Sequence, residues 1–182
     1  MKTSFALLVL GLSLLAQPAR AQTPTVQVYL DSQFHVVHRT CPPGGTVDTL
    51  YVVASGFSSP ITDIEYSINT WGNFGIVQDL VRPGFSGTGF SGIGIHVDFG
   101  GPANASGNLL VQRILGFWDC KPCGGGGWVT FIVVEPHNES GKIQATKWPD
   151  LTKVEALGGV NSLCGVLPTQ PTTWGRIKAL YR

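Results

Sequence analysis

Charge is the scarcest property of this sequence of 182 residues: Asp, Glu, Lys and Arg make up 13% of it, against about a quarter in an ordinary soluble domain. The 12 basic and 11 acidic residues nearly cancel. A chain without a basic excess has no electrostatic footprint for nucleic acid or for an anionic membrane surface. Beyond the first twenty positions no apolar run approaches the twenty residues of a membrane-spanning helix. Helical periodicity is also sparse. There is no G-x-S-x-G, no H-E-x-x-H and no EF-hand loop. The residues therefore name no catalytic group, no metal ligand and no cofactor.

Glycine (24) and proline (12) are what the chain has instead, a composition of short strands and many turns. Met1-Lys2, the apolar run Phe5 to Leu15 and the small residues Ala19 and Ala21 form the three parts of a secretory signal peptide. Cleavage near Ala21 sends the remainder to a secreted, extracellular or periplasmic location. The expected organisation is a signal peptide over 1–21, one domain over 22–165, a linker over 166–172 and a tail over 173–182. About 160 residues suffice for one domain with a sizeable core.

Strand signals recur along the domain. Val26 to Leu30 alternates, and Phe34 to Val37 continues it or pairs with it. Thr46 to Ala54 is rich in β-branched and aromatic residues. In Ile61 to Ile68, Ile64, Tyr66 and Ile68 share one face and Asp63 and Glu65 point the other way. Ile76 to Val81 reads as a strand, as does Ile93 to Phe99, where Ile93, Ile95, Val97 and Phe99 alternate with small or polar residues. Asn69 to Gly75, Pro83 to Gly92 and Gly100 to Asn108 read as loops. Lys142 to Lys147 is a last short strand, and Asp150 to Leu157 is a modest helix candidate. The fold class is all-β: an antiparallel β-sandwich, immunoglobulin-like or cohesin-like, of about seven to nine strands, closed by a short C-terminal helix.

Leu109 to Val134 is the centre of the pattern. LLVQRILGFW and WVTFIVV are apolar runs on either side of Cys120-Lys121-Pro122-Cys123 and four glycines. Apolar residues in both phases mark a strand buried on both faces, or buried on one and half-covered on the other. A glycine-rich connector between two such runs predicts antiparallel neighbours.

Four cysteines, Cys41, Cys120, Cys123 and Cys164, form an even set, which an oxidising compartment favours as disulfides. The preferred pairing sends Cys120 and Cys123 to Cys41 and Cys164 in some order; a Cys120–Cys123 bridge is the second option. The letters W-D-C-K-P-C loosely match a thioredoxin-type site. That chemistry needs the first thiol at a helix N-terminus, and a β-type run follows here instead. Gly87 to Gly92 matches G-x-G-x-x-G but opens a strand rather than a helix, so it reads as a connector. His35 and His38 fall on opposite faces of a strand, and with His96 they suggest no metal site. Asp63 and Glu65 share a face, without evident partners nearby.

Tryptophans remain. Trp71 and Trp128 sit in glycine-rich loops and Trp148 precedes Pro149, so all three are candidates for ligand contact. At the C-terminus, Trp174, Ile177, Leu180 and Tyr181 recur at helical spacing between basic residues. The tail is thus either a docked amphipathic helix or a sorting signal.

DTLYVVASGFSSPITDIEYSI, Asp48 to Ile68, resembles the opening of cohesin-like and related secreted bacterial β-sandwich modules, where LYVVA leads through a turn to a strand of the form I-x-x-x-E-Y/F. The ending TTWGRIKALYR resembles a C-terminal tail of uncharacterised secreted bacterial proteins. The resemblance implies a non-catalytic module that binds or assembles outside the cytoplasm, its partner an extracellular glycan or a surface protein. Two further readings stay open: a structural subunit of an extracellular assembly, and a periplasmic thiol–disulfide protein using Cys120 and Cys123.

Overall fold

The computed structural model of the chain describes residues 22–39, 46–72, 74–118 and 130–163. Among these residues there are thirteen strand segments and no helix: β1 (Thr25–Tyr29), β2 (His38–Arg39), β3 (Thr46–Ser55), β4 (Ile61–Trp71), β5 (Phe74–Val81), β6 (Ser86–Phe90), β7 (Gly94–Ala103), β8 (Leu109–Trp118), β9 (Thr130–Glu135), β10 (Gln144–Lys147), β11 (Lys153–Glu155), β12 (Leu157–Gly158) and β13 (Val160–Leu163). Ten of them have four or more residues, one above the expected seven to nine, and β2, β11 and β12 are only two or three residues long.

Two sheets result. One has the order β12-β1-β3-β8-β5. The other runs β11-β10-β4-β9-β13-β2, with β7 on β4 and β6 on β7. All pairings are antiparallel except β1 with β12 and β13 with β2. Their inner faces form one core. Val26, Val28, Leu50, Val52, Val111, Ile114 and Trp118 come from the first sheet. Ile64, Tyr66, Ile68, Ile95, Val97, Ile132 and Val134 come from the second, and all are at most 4% exposed. Each such aliphatic side chain contributes about 1.5–3 kcal/mol on burial.

The register explains the mixed phases of β8. Val52 pairs with Gln112 but Val53 pairs with Leu110. The extra residue at this bulge shifts the inward set from Leu109 and Val111 to Ile114, Gly116 and Trp118.

Several expectations are corrected. β8 and β9 are not paired neighbours: β8 lies between β3 and β5, whereas β9 lies between β4 and β13 in the other sheet. The chain therefore crosses from sheet to sheet between Trp118 and Thr130. Asp150 to Leu157 is not helical. Val154 and Leu157 belong to β11 and β12, because hydrogen bonding to β10 and β1 outweighs a weak local preference. Phe34 to Val37 forms no strand: the chain turns at Ser32 and Gln33, and Val36 returns beside Leu30, whose N–H it accepts at 2.8 Å. The supposed loop Asn69 to Gly75 is mostly strand: β4 runs through Trp71 and β5 starts at Phe74. Gly72 makes that turn possible, with φ at +110° and a side chain excluded by Thr130. Ser86 to Phe90 is a strand, and β7 continues to Ala103. Ile93 sits in the β6–β7 turn, 64% exposed.

Candidate interaction face

The two sheets present unlike outer surfaces, and strand pairing sets each one. On the larger sheet the outward residues are polar and satisfy one another across strands. Register places Asp63 beside Thr146 of β10 and Glu65 beside both Gln144 of β10 and His96 of β7. Asp63 accepts hydrogen bonds from Thr146 Oγ1 at 2.9 Å and Lys153 Nζ at 3.3 Å, with His96 Nε2 at 3.5 Å. Gln144 donates to Glu65, and Lys142 pairs with Glu155. The partners missing from the local sequence around Asp63 and Glu65 thus arrive from strands about 30 to 90 residues away. Burial opposes ionisation of Asp63, but the Thr146 hydroxyl, Lys153 and His96 outweigh it and hold the carboxyl below its ordinary value. This is a self-neutralised, solvated face. Among the described residues no group of three or more His, Cys, Asp or Glu side chains is placed to hold a metal ion.

The five-stranded sheet differs. Phe117 of β8 is flanked by Val47 of β3 and Gly75 of β5. Val47 is 65% exposed and Phe117 40%. A bulge between Ile76 and Gln78 turns Val77 outward, 68% exposed. One row along the sheet, Thr49 and Leu115 are paired, and in the next Tyr51 faces Arg113. Beyond them Phe34 packs between Tyr29 and Tyr51, with ring centroids 5.8 and 6.3 Å apart. Phe34 is held there at φ +61°, a conformation uncommon outside glycine. Asp31 fixes the turn by accepting the N–H groups of His35 and Val36 at 2.9 and 2.7 Å. The Val36 bond is the foremost cause of the lowered Asp31 pKa. Exposed apolar side chains grouped in this way mark interaction surfaces, whereas isolated ones do not.

Beneath this face the sandwich end is firmly built. Trp118 is fully buried, packs on Phe74 at 4.4 Å between centroids, and donates its indole N–H to Asp48 at 2.9 Å. Gly116 makes room for the Phe74 ring, whose Cζ lies 1.7 Å from where a Cβ would stand.

The sequence candidates are dispersed. Trp71 is 51% exposed at the end of β4, and Trp148 is 45% exposed just past β10, whose Lys147 pairs with Ile61 at the start of β4. Ten strand steps separate the two ends, roughly 33 Å, so the two rings do not form one platform. Trp128, the four cysteines and the tail over 173–182 lie outside the described residues. What the sequence reading missed is Val47, Val77 and Phe117. Their signal was present: β3 and β8 carry apolar residues in both phases.

No family model matches the chain, and no curated protein matches it. Solved structures do. A cohesin module from a family 33 glycoside hydrolase of Clostridium perfringens aligns with a TM-score of 0.55 at 5% identity, covering 78% of this chain and 96% of that one. The sixth cohesin of scaffoldin B from Acetivibrio cellulolyticus, solved in complex with a dockerin, gives 0.52 at 13%, covering 78% and 97%. The third ScaB cohesin of R. flavefaciens, also solved with a dockerin, gives 0.52 at 12%, covering 82% and 99%. The chain is an all-β sandwich of cohesin-like fold. At these identities the likeness shows the fold alone.

Proposed function

We propose that this protein is a secreted, non-catalytic protein-binding module that engages its partner through the outer face of the five-stranded sheet. The observation that carries this reading is the cluster of Val47, Val77 and Phe117, exposed side by side on β3, β5 and β8. Leaving three such side chains in water is unfavourable unless a partner covers them. Support also comes from cohesins of the same fold that were solved with a dockerin bound. A protein is favoured over a glycan because Trp71 and Trp148 stand at opposite ends of β4. The N-terminal signal pattern supports export, with cleavage near Ala21.

Two long-range disulfides belong to the same reading. The described neighbours of the cysteines converge: Leu163, before Cys164, pairs with Arg39 and Thr130, and Thr46 pairs with Trp118, two positions before Cys120. We assign Cys120 and Cys123 to Cys41 and Cys164 in some order; such long-range bridges would belong to a stapled binding module and not to a thiol–disulfide enzyme.

The test is binding of the full chain to purified dockerins, to proteins captured from the culture fluid of the source cells and then purified, and to polysaccharides. The expected result is a protein ligand whose affinity falls at least about tenfold in F117S, as for a central apolar contact, and is unchanged in K153A on the opposite face. Binding to polysaccharide alone, or hydrolysis of any polymer offered, would overturn the proposal.

A further inference from the structure

The strands of the five-stranded sheet, β1, β3, β5, β8 and β12, contain three charged residues: Asp48, Asp79 and Arg113. Both carboxylates have partners. Asp48 accepts the Trp118 indole N–H at 2.9 Å. Asp79 accepts the Ser91 N–H at 2.8 Å and the Gln112 side-chain amide at 3.2 Å. Arg113 stands exposed on the outer face, and no described acidic side chain forms an ion pair with it. We propose that the protein bound at this face presents an Asp or Glu carboxylate to Arg113, so that the partner is an acidic one anchored by apolar side chains over Phe117. This rests on the reading of that face as the binding surface, and names the chemistry of what binds there.

Position puts Arg113 inside the footprint of such a partner. Arg113, Leu115 and Phe117 alternate with buried residues along β8 and share its outer side. Arg113 and Phe117 are four strand steps apart, roughly 13 Å. A standard interface covers about 800 Å² of each partner, a disc of about 16 Å radius. A partner seated on Phe117 therefore covers Arg113 as well. A cation taken out of water without a counter-charge is strongly unfavourable, so a well-fitting partner has to bring the anion with it.

The surroundings favour a carboxylate. Arg113 pairs with Tyr51 on one side and Leu80 on the other. Phe34 packs against Tyr51, with ring centroids 6.3 Å apart. Apolar neighbours lower the local dielectric, and an ion pair formed among them gains more than the same pair in open water. The guanidinium is a planar fork of donors, which a carboxylate fills with two parallel hydrogen bonds. Asp31, in the turn before Phe34, already accepts the His35 and Val36 N–H groups. On the opposite sheet Lys142 and Lys153 already face Glu155 and Asp63.

Selection of a displayed library of random peptides on the immobilised full chain supplies probes of known sequence. Each selected clone is then titrated against the wild type, F117S, R113M and R113E. Arg113 is exposed, so neither change there disturbs the core. R113M keeps the apolar stem and removes the charge, which separates the ion pair from packing. Clones are expected to carry an Asp or Glu beside aromatic or aliphatic residues, and to lose affinity at least about tenfold in F117S and in R113M, and further in R113E. Their binding should weaken as salt rises. Replacing the acidic residue of a clone by Lys should abolish binding to the wild type and restore it to R113E. Clones that depend on Phe117 but bind R113M and R113E as well as the wild type would overturn the acidic partner and leave the binding face standing. Clones that depend on Arg113 but not on Phe117 would leave the carboxylate contact standing and overturn the binding face. A selection that yields only clones indifferent to both residues would overturn both.

Discussion

Three residues show how differently burial acts on polar groups here. Trp118 is fully buried with its indole N–H satisfied by Asp48 and its ring against Phe74. Trp118→Ala removes a large side chain from a packed corner, and is expected to cost about 3–5 kcal/mol in urea unfolding. Tyr66 is as deeply buried, but its hydroxyl has no hydrogen-bond partner among the described residues; burial, with the charge of Asp79 second, pushes its pKa well above the ordinary 10.0. Tyr66→Phe therefore removes a desolvated hydroxyl and keeps the ring. The expected outcome is unchanged stability or a gain of up to about 1 kcal/mol; a loss beyond 1 kcal/mol would show a hydrogen bond there. Asp63 is the opposite case, ionised and well served. Its folded pKa lies below the ordinary 3.8, so its contribution is fully present above that value and fades as pH falls through the folded one. D63N should thus cost about 1–2 kcal/mol at pH 7, and the gap to wild type should close below about pH 4. A gap that did not narrow at all as pH fell below 3.8 would assign the loss to packing.

Strand existence was readable wherever one face alone was apolar: Ile64, Tyr66 and Ile68 on β4, and Ile95, Val97 and Phe99 on β7, are buried as their alternation requires. Partner choice was not readable. The runs that became β8 and β9 carry the same apolar signature, and nothing local says which sheet receives each one. A glycine-rich connector serves a crossing as well as a hairpin. Lys153 to Leu157 was misread for a related reason. Its letters tolerate a helix, but the edge of β10 and the start of β1 offer backbone pairing that local propensity cannot foresee. The exposed apolar cluster of Val47, Val77 and Phe117 was not legible because apolar residues in both phases of β3 and β8 fit a strand covered on both sides equally well. Gly116 shows how tightly the covered side is specified. Gly116→Ala would drive a methyl into Phe74 and is expected to cost at least about 1–3 kcal/mol, with altered near-ultraviolet circular dichroism from the Phe74–Trp118 pair. An unchanged spectrum and melting temperature would mean that the β5–β8 end is loosely packed.

At the scale of the molecule, the two sheets differ in what they show to water and share one end where the chain passes between them. The larger sheet hides its charges in cross-strand pairs, and the smaller one leaves Val47, Val77 and Phe117 uncovered. The described strands supply backbone pairing across β2, β13 and β9 and across β3, β8 and β5 at that end, but no described strand joins the two sets there. Disulfides among Cys41, Cys120, Cys123 and Cys164 would supply the link. Each would close a loop of tens of residues or more and restrict the unfolded chain by about 3–4 kcal/mol in the chain-entropy picture. Peptide mapping without reductant is then expected to find Cys120 and Cys123 each joined to a distant cysteine. Reductant should lower the melting temperature while leaving binding at the Phe117 face intact below the new midpoint. A Cys120–Cys123 bridge that reduces readily at no cost in stability would remove the staple and return the redox reading. The contrast is sharp because a bridge between neighbours in sequence closes almost no loop, so it restricts the unfolded chain little and holds neither sheet to the other.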